Sequence, residues 1–226
     1  MEPPWEHPDW YDLHDTAWTA GSEREPEHYR ELVLALPPLG ERHHVADIGA
    51  GTGKLSLLIA RGYPELGRVT LYEPNGAKLC RAHARLSEAL PHAQIVARPL
   101  AAGQGQIAPG RDADIVVFGS VLMPVLEMSA MSFGEGLAWV DRALAEAAGL
   151  LATGGWVYAL ETLGNAFAQP TTSGPARRLF LRELEDRLRG VGLGDVECVY
   201  RFRDRVIVRG RVGAPAREAA PSPFRG

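Results

Sequence analysis

Apolar residues recur along this chain at two spacings, one helical and one extended. Tyr29, Leu32, Val33 and Leu36 follow the i, i+3, i+4, i+7 rule of a helix face. Pro26 suits the first turn of that helix, and Pro37-Pro38 and Gly40 stop it. His44 to Ile48 then reads as a short buried strand, followed by the glycine-rich run 49–53 and a helix carrying Leu55, Leu58 and Ile59. A second strand spans Val69 to Glu73, and a helix from about Asn75 to Leu90 presents Leu79, Ala82, His83 and Leu86 before Pro91. Gln94 to Ala97 forms a third strand. After a loop over 99–111, Asp114 to Phe118 forms a fourth, buried on both faces. Phe133, Leu137, Val140 and Leu144 mark a helix over about 133–150, and Gly154-Gly155 opens a fifth strand, Trp156 to Glu161. A last helix bears Phe180, Leu184 and Leu188. Val196 to Phe202 and Val206 to Val208 pair as a hairpin around Arg203-Asp204. Strand and helix alternate, which predicts an α/β fold with a doubly wound, mostly parallel seven-stranded sheet, helices on both faces and an antiparallel C-terminal hairpin.

Outside this pattern lie two terminal regions. Residues 1–25 hold Trp5, Trp10, Tyr11 and Trp18, and an aromatic-rich segment is expected to pack as an arm or lid. Residues 211–226, rich in Pro, Ala and Arg, are expected to form a disordered tail. The domain proper is therefore 26–210.

Composition narrows the partners. The net charge is -4, which disfavours a nucleic-acid backbone. Ile115 to Leu126 is the longest apolar stretch, too short to span a bilayer, and the N-terminus lacks a secretory pattern. Cys80 and Cys198 are far apart and outside any paired ligand spacing, so no metal site is expected and a reducing, cytoplasmic setting fits. An aromatic arm also leaves room for a homodimer.

The chemistry gathers after the first strand. In doubly wound sheets ligands bind beyond the C-terminal strand ends where the strand order reverses. A dinucleotide site requires Gly-x-Gly-x-x-Gly, but with Gly49 and Gly51 in place the third position is Lys54. A phosphate-binding loop requires Gly-x-x-x-x-Gly-Lys-Ser/Thr, and Ile48 and Leu55 break it twice. What remains is Asp47-x-Gly49-x-Gly51-x-Gly53, ending a strand and opening a helix.

The string Val45-Ala46-Asp47-Ile48-Gly49-Ala50-Gly51-Thr52-Gly53 resembles the first motif of the class I S-adenosylmethionine-dependent methyltransferases. Glu73, 26 positions after Asp47, resembles their second motif, and the pattern extends over roughly 26–210. The resemblance implies a Rossmann-like fold, S-adenosyl-L-methionine as cofactor and a small-molecule methyl acceptor. It places Asp47, Gly49, Ala50 and Gly51 along the methionine part of the cofactor. Glu73, with Pro74, would hold the ribose, whose two hydroxyls suit a carboxylate. The family often carries an acid after the third strand for adenine; here 97–104 has none, so the backbone of Pro99 and Leu100, or Gln104, would serve instead. Gly119, Ser120 and Val121 would form the floor near the adenine and the methyl donor.

Methyl transfer from a sulfonium mainly requires alignment and exclusion of water, so no fixed catalytic sequence is expected. Tyr11, His14 and Glu161 are the catalytic candidates: Tyr11 and His14 with Trp10 and Trp18 in the arm, where an aromatic face suits a sulfonium, and Glu161 as a base or substrate contact at the cleft rim. Arg177, Arg178 and Arg182 read as a solvated face or a contact for an acidic partner. Two other functions stay open: a non-methyl reaction of the same cofactor, such as cyclisation or aminocarboxypropyl transfer, and a non-catalytic cofactor-binding subunit.

Overall fold

The sheet is built around an unbroken apolar centre. β1 (His44–Ile48) is buried at all five positions, and β2 (Arg68–Tyr72) and β4 (Ala113–Gly119) are nearly as closed. Strands with both faces buried must be covered by helices on each side. The structure, a computed structural model, describes residues 7–8, 12, 25–163 and 179–213. The remaining strands are β3 (Gln94–Arg98), β5 (Leu151–Thr162), β6 (Leu193–Phe202) and β7 (Arg205–Val212). Their order is β3-β2-β1-β4-β5-β7-β6. β1 to β5 run parallel, and β7 is antiparallel to both β5 and β6. The direction of winding reverses between β1 and β4, so the crevice lies beyond the ends of these two strands.

The helices are α1 (Glu25–Ala35), α2 (Lys54–Gly62), α3 (Gly76–Ala89), α4 (Leu122–Met128), α5 (Phe133–Leu150) and α6 (Leu181–Gly190). Leu32, Leu55, Ile59, Leu79 and Leu86 carry α1, α2 and α3 onto one face of the sheet. Leu122, Leu126, Val140, Leu144, Leu184 and Leu188 carry α4, α5 and α6 onto the other. Asn75 caps α3, its Oδ1 accepting from the Ala77 and Lys78 amides, and Ser132 with Glu135 forms a capping box on α5. None of the described helices is long and apolar enough to cross a membrane.

Four details depart from the sequence expectation. α4 lies within the apolar stretch that ends β4; Pro124 is tolerated because it falls in the helix's first turn, where no amide partner is needed. β5 starts at Leu151, and Gly154-Gly155 lies inside it, beside a register shift against β4 between Ala113 and Ile115. Phe180 is not on the apolar stripe of the last helix: it is the N-cap residue of α6 and 67% exposed. β7 runs to Val212, so Arg211 and Val212 belong to the sheet and not to a tail.

Candidate functional site

The turn after β1 is anchored from the neighbouring strand. The Gly49 and Ala50 amides both donate to the Tyr72 carbonyl, at 2.8 and 3.1 Å. The turn has no space for side chains at two of its glycines. Gly49 sits at φ +73, and a Cβ there would lie 2.4 Å from Val121 Cγ2. Gly53 sits at φ +82, with Ala82 Cα 2.9 Å from where its Cβ would be. Both positions combine left-handed backbone with close approach, which only glycine tolerates. Gly53 leads into α2 without a side-chain cap, so the helix opens with its dipole toward the turn.

Two carboxylates flank this turn. Asp47 is 1% exposed and accepts Ser56 Oγ at 2.5 Å, tying the end of β1 to the first turn of α2. Burial pushes its carboxyl up to about 7; the Ser56 hydrogen bond opposes the rise and the Glu73 charge adds to it. Glu73 follows β2. Its Oε2 accepts the Gly51 amide at 3.0 Å and its Oε1 the Asn75 amide at 2.9 Å. Glu73 is 8% exposed, and its two oxygens form the kind of acceptor pair that a vicinal diol requires. Pro74, next along, is exposed.

On the far side of β2, β3 ends at Arg98. Pro99 is exposed and Leu100 half-buried, the Leu100 amide turning back to the Arg98 carbonyl at 2.8 Å. Gln104 is exposed. The loop beyond is fastened to α5. Trp139 Nε1 donates to the Ala102 carbonyl and Arg142 Nε to that of Gly103, both at 2.8 Å, and Glu146 accepts the Gly103 and Gly105 amides at 2.6 Å each. Sequence reasoning missed this clamp. Its signal was present in the spacing of Trp139, Arg142 and Glu146, which puts three polar groups on one helical face.

Across the switch point, β4 ends at Gly119, and Ser120 and Val121 follow it into α4, all three half-buried. Ser120 holds φ +58 while its amide donates to the Leu160 carbonyl at 2.8 Å. A non-glycine residue in this region is strained, and such strain gathers at ligand sites. Glu161 departs from expectation most. It is 1% exposed and not at an open rim. Its Oε1 accepts the Val121 and Leu122 amides at 3.0 and 2.8 Å, and its Oε2 the Met123 amide at 3.2 Å. It therefore anchors the start of α4. Burial lifts its carboxyl to about 7, against the pull of those amides.

Tyr11 and His14, like Trp10, Trp18, Arg177 and Arg178, lie outside the described residues; Arg182 is exposed. Asp47, Gly49, Ala50, Gly51 and Glu73 meet at one turn, with Gly119 to Val121 facing it through the Gly49–Val121 approach. Pro99 and Leu100 stand further out, beyond β2.

No protein-family model matches the sequence, and no curated protein sequence matches it. Solved structures do match its shape. The S-adenosylmethionine-dependent methyltransferase SibL superposes with a TM-score of 0.61 at 19% identity, covering 91% of this chain and 58% of SibL. The phosphoethanolamine N-methyltransferase 1 of Haemonchus contortus, in complex with phosphoethanolamine and S-adenosylhomocysteine, gives 0.61 at 17%, covering 92% and 50%. The fold is that of the class I S-adenosylmethionine-dependent methyltransferases. The methyltransferase fold also carries other chemistry: the [4+2]-cyclase SpnF gives 0.60 at 16% identity, over 84% of this chain and 81% of that one. The chain spans little more than half the length of SibL and half that of the Haemonchus enzyme.

Proposed function

We propose that this chain is an S-adenosylmethionine-dependent methyltransferase acting on a small-molecule acceptor at oxygen or nitrogen. The observation that carries the reading is the Glu73 carboxylate at the end of β2, bonded to the Gly51 amide of a glycine turn at the switch point. A ribose diol is the ligand group that fits two carboxylate oxygens in that position. Asp47 holds the turn to α2, and Gly49 to Gly51 leave the backbone open to close approach. Gly119, Ser120 and Val121 supply the opposite wall. When bound, the cofactor supplies an activated methyl group on a sulfonium. The residues of the chain orient it and exclude water. Tyr11 and His14 remain the candidates for acceptor contacts or proton removal, while Glu161 acts from beneath by fixing the 121–123 backbone. The acceptor is read as a cytoplasmic metabolite and not a nucleic acid, consistent with a net charge of -4.

Calorimetric titration with S-adenosylmethionine and S-adenosylhomocysteine tests the reading. Binding by both, with S-adenosylhomocysteine released once an acceptor is supplied, is the expected result; binding by neither ends it. The likeness to SpnF keeps a second reading in view, a non-methyl reaction on the same scaffold. Conversion of an acceptor with the cofactor left unchanged would select a cyclisation of that kind, and methylthioadenosine as product would select aminocarboxypropyl transfer.

A further inference from the structure

One side chain of the N-terminal segment reaches the glycine turn. Asp12 Oδ1 accepts Thr52 Oγ1 at 2.7 Å, and its Oδ2 accepts Arg81 Nη1 and Arg85 Nη2 at 2.8 Å each. Lys54 Nζ stands 3.8 Å from Oδ1. Arg85 Nη1 also donates to the backbone carbonyl of Thr52 at 3.0 Å. The Asp12 side chain is only 17% exposed, so water screens this cluster incompletely. Burial works against the ionised carboxyl, but the Thr52, Arg85 and Arg81 hydrogen bonds together hold it below the usual aspartate range. Asp12 is therefore an anion at neutral pH.

The surroundings call for that anion. Arg81 and Arg85 are four apart on α3, and like charges at this spacing repel. Lys54, the first residue of α2, adds a third cation. Thr52 is fully buried between Gly51 and Gly53, both at positive φ. It is held from outside by Asp12 and Arg85. On its other side the Gly51 amide meets Glu73. One chain of contacts thus runs from Asp12 through Thr52 and Gly51 to the carboxylate assigned to the ribose.

We infer that Asp12 is a positioning residue for the cofactor turn. Its ion-pair cluster with Arg81, Arg85 and Lys54 pins Thr52 and so aims the Gly51 amide and the Glu73 carboxylate. Cofactor affinity then depends on the Asp12 contacts and weakens with ionic strength. This inference rests on the cofactor reading above. No residue of the cluster needs to touch the cofactor.

The test is calorimetric titration of the full chain with S-adenosylhomocysteine, which is net neutral; comparison with D12A separates salt acting on the Asp12 cluster from salt acting on the ligand's own amino and carboxylate groups. Titrations at about 0.05 M and about 0.5 M salt bracket the screening range. D12A and T52V are each expected to weaken binding about tenfold, and D12A/T52V by no more than either alone, because both break the same path. D12E should recover most of the loss. Wild type should weaken toward D12A at high salt, whereas D12A itself should change little. R189A, in an exposed pair with Asp186, should bind as wild type does. Thermal melts identify any variant that fails to fold, and D12N and T52V then carry the comparison. Tight, salt-independent binding by D12A or D12N overturns the inference and leaves the cofactor reading intact. Additive losses in D12A/T52V overturn the shared path. Failure of wild type to bind overturns the cofactor reading and this inference together.

Discussion

Glu73 and Glu161 begin as the same feature, a glutamate at the carboxyl end of a strand. They end in different roles. Glu73 is 8% exposed, accepts two amides, one from the glycine turn and one from Asn75, and sits beside exposed Pro74 and Gly76. Glu161 accepts three, all from the start of α4, and is sealed beneath Leu122 and Met123, both fully buried. The difference lies in what the carboxylate is bonded to. The loop after β2 is polar and stays at the surface. The loop after β4 is apolar and folds inward, so the carboxylate holding its amides is buried with it. A strand-end acid is available to a ligand only when the segment it braces has no reason to enter the core.

This contrast predicts which loss each substitution causes. The largest effect is expected for Glu161→Ala. It leaves three buried amides without a partner and should cost about 3 kcal/mol in urea unfolding. A loss confined to cofactor affinity, with stability unchanged, would reverse the assigned roles. Glu73→Ala should do the opposite, lowering S-adenosylhomocysteine affinity about a hundredfold while costing about 1 kcal/mol of stability. Equal stability losses in the two variants would erase the contrast.

A smaller effect comes from pH. Asp47 and Glu161 both titrate near 7 in the folded protein, above the ordinary 3.8 and 4.5. The folded state therefore keeps protons that the unfolded chain has already released. The contribution of these groups to stability is complete at acid pH, below the unfolded values, and is lost as pH rises through 7. The urea midpoint should fall between about pH 5 and about pH 8, and Asp47→Asn should flatten part of that slope. An unchanged slope in Asp47→Asn would show that Asp47 is not among the groups responsible. The smallest effect is expected for Ser120→Gly, which relieves a left-handed residue and should gain up to about 1 kcal/mol, read as a higher melting temperature.

The central strands and the glycine turn were legible in the sequence because their signals are local. The apolar run of β4 and the spacing of Gly49, Gly51 and Gly53 each fit within one element. α4 was hidden because its apolar residues follow those of β4 with only Gly119-Ser120 between, so the two elements read as one apolar stretch. Gly154-Gly155 reads as the opening of the fifth strand, yet β5 already pairs with β4 at Leu151; the pairing lapses at the two glycines, with Gly154 at φ +82, and resumes at Trp156. The burial of Glu161 depends on where a segment some forty positions earlier folds, and the sequence around Glu161 does not report that. The Asp12 cluster joins residues up to 73 positions apart, so nothing near Asp12 announces it.

The central claim is that Glu73 holds the sugar of an adenosyl cofactor while the turn at Gly49 to Gly51 lies along its amino-acid end. A crystal structure of the chain with S-adenosylhomocysteine tests it most directly. The account predicts both ribose hydroxyls within hydrogen-bond distance of the Glu73 carboxylate, with the Gly51 amide still bonded to it. A ligand seated elsewhere, or a ribose held by other groups while Glu73 faces only the protein backbone, would contradict it.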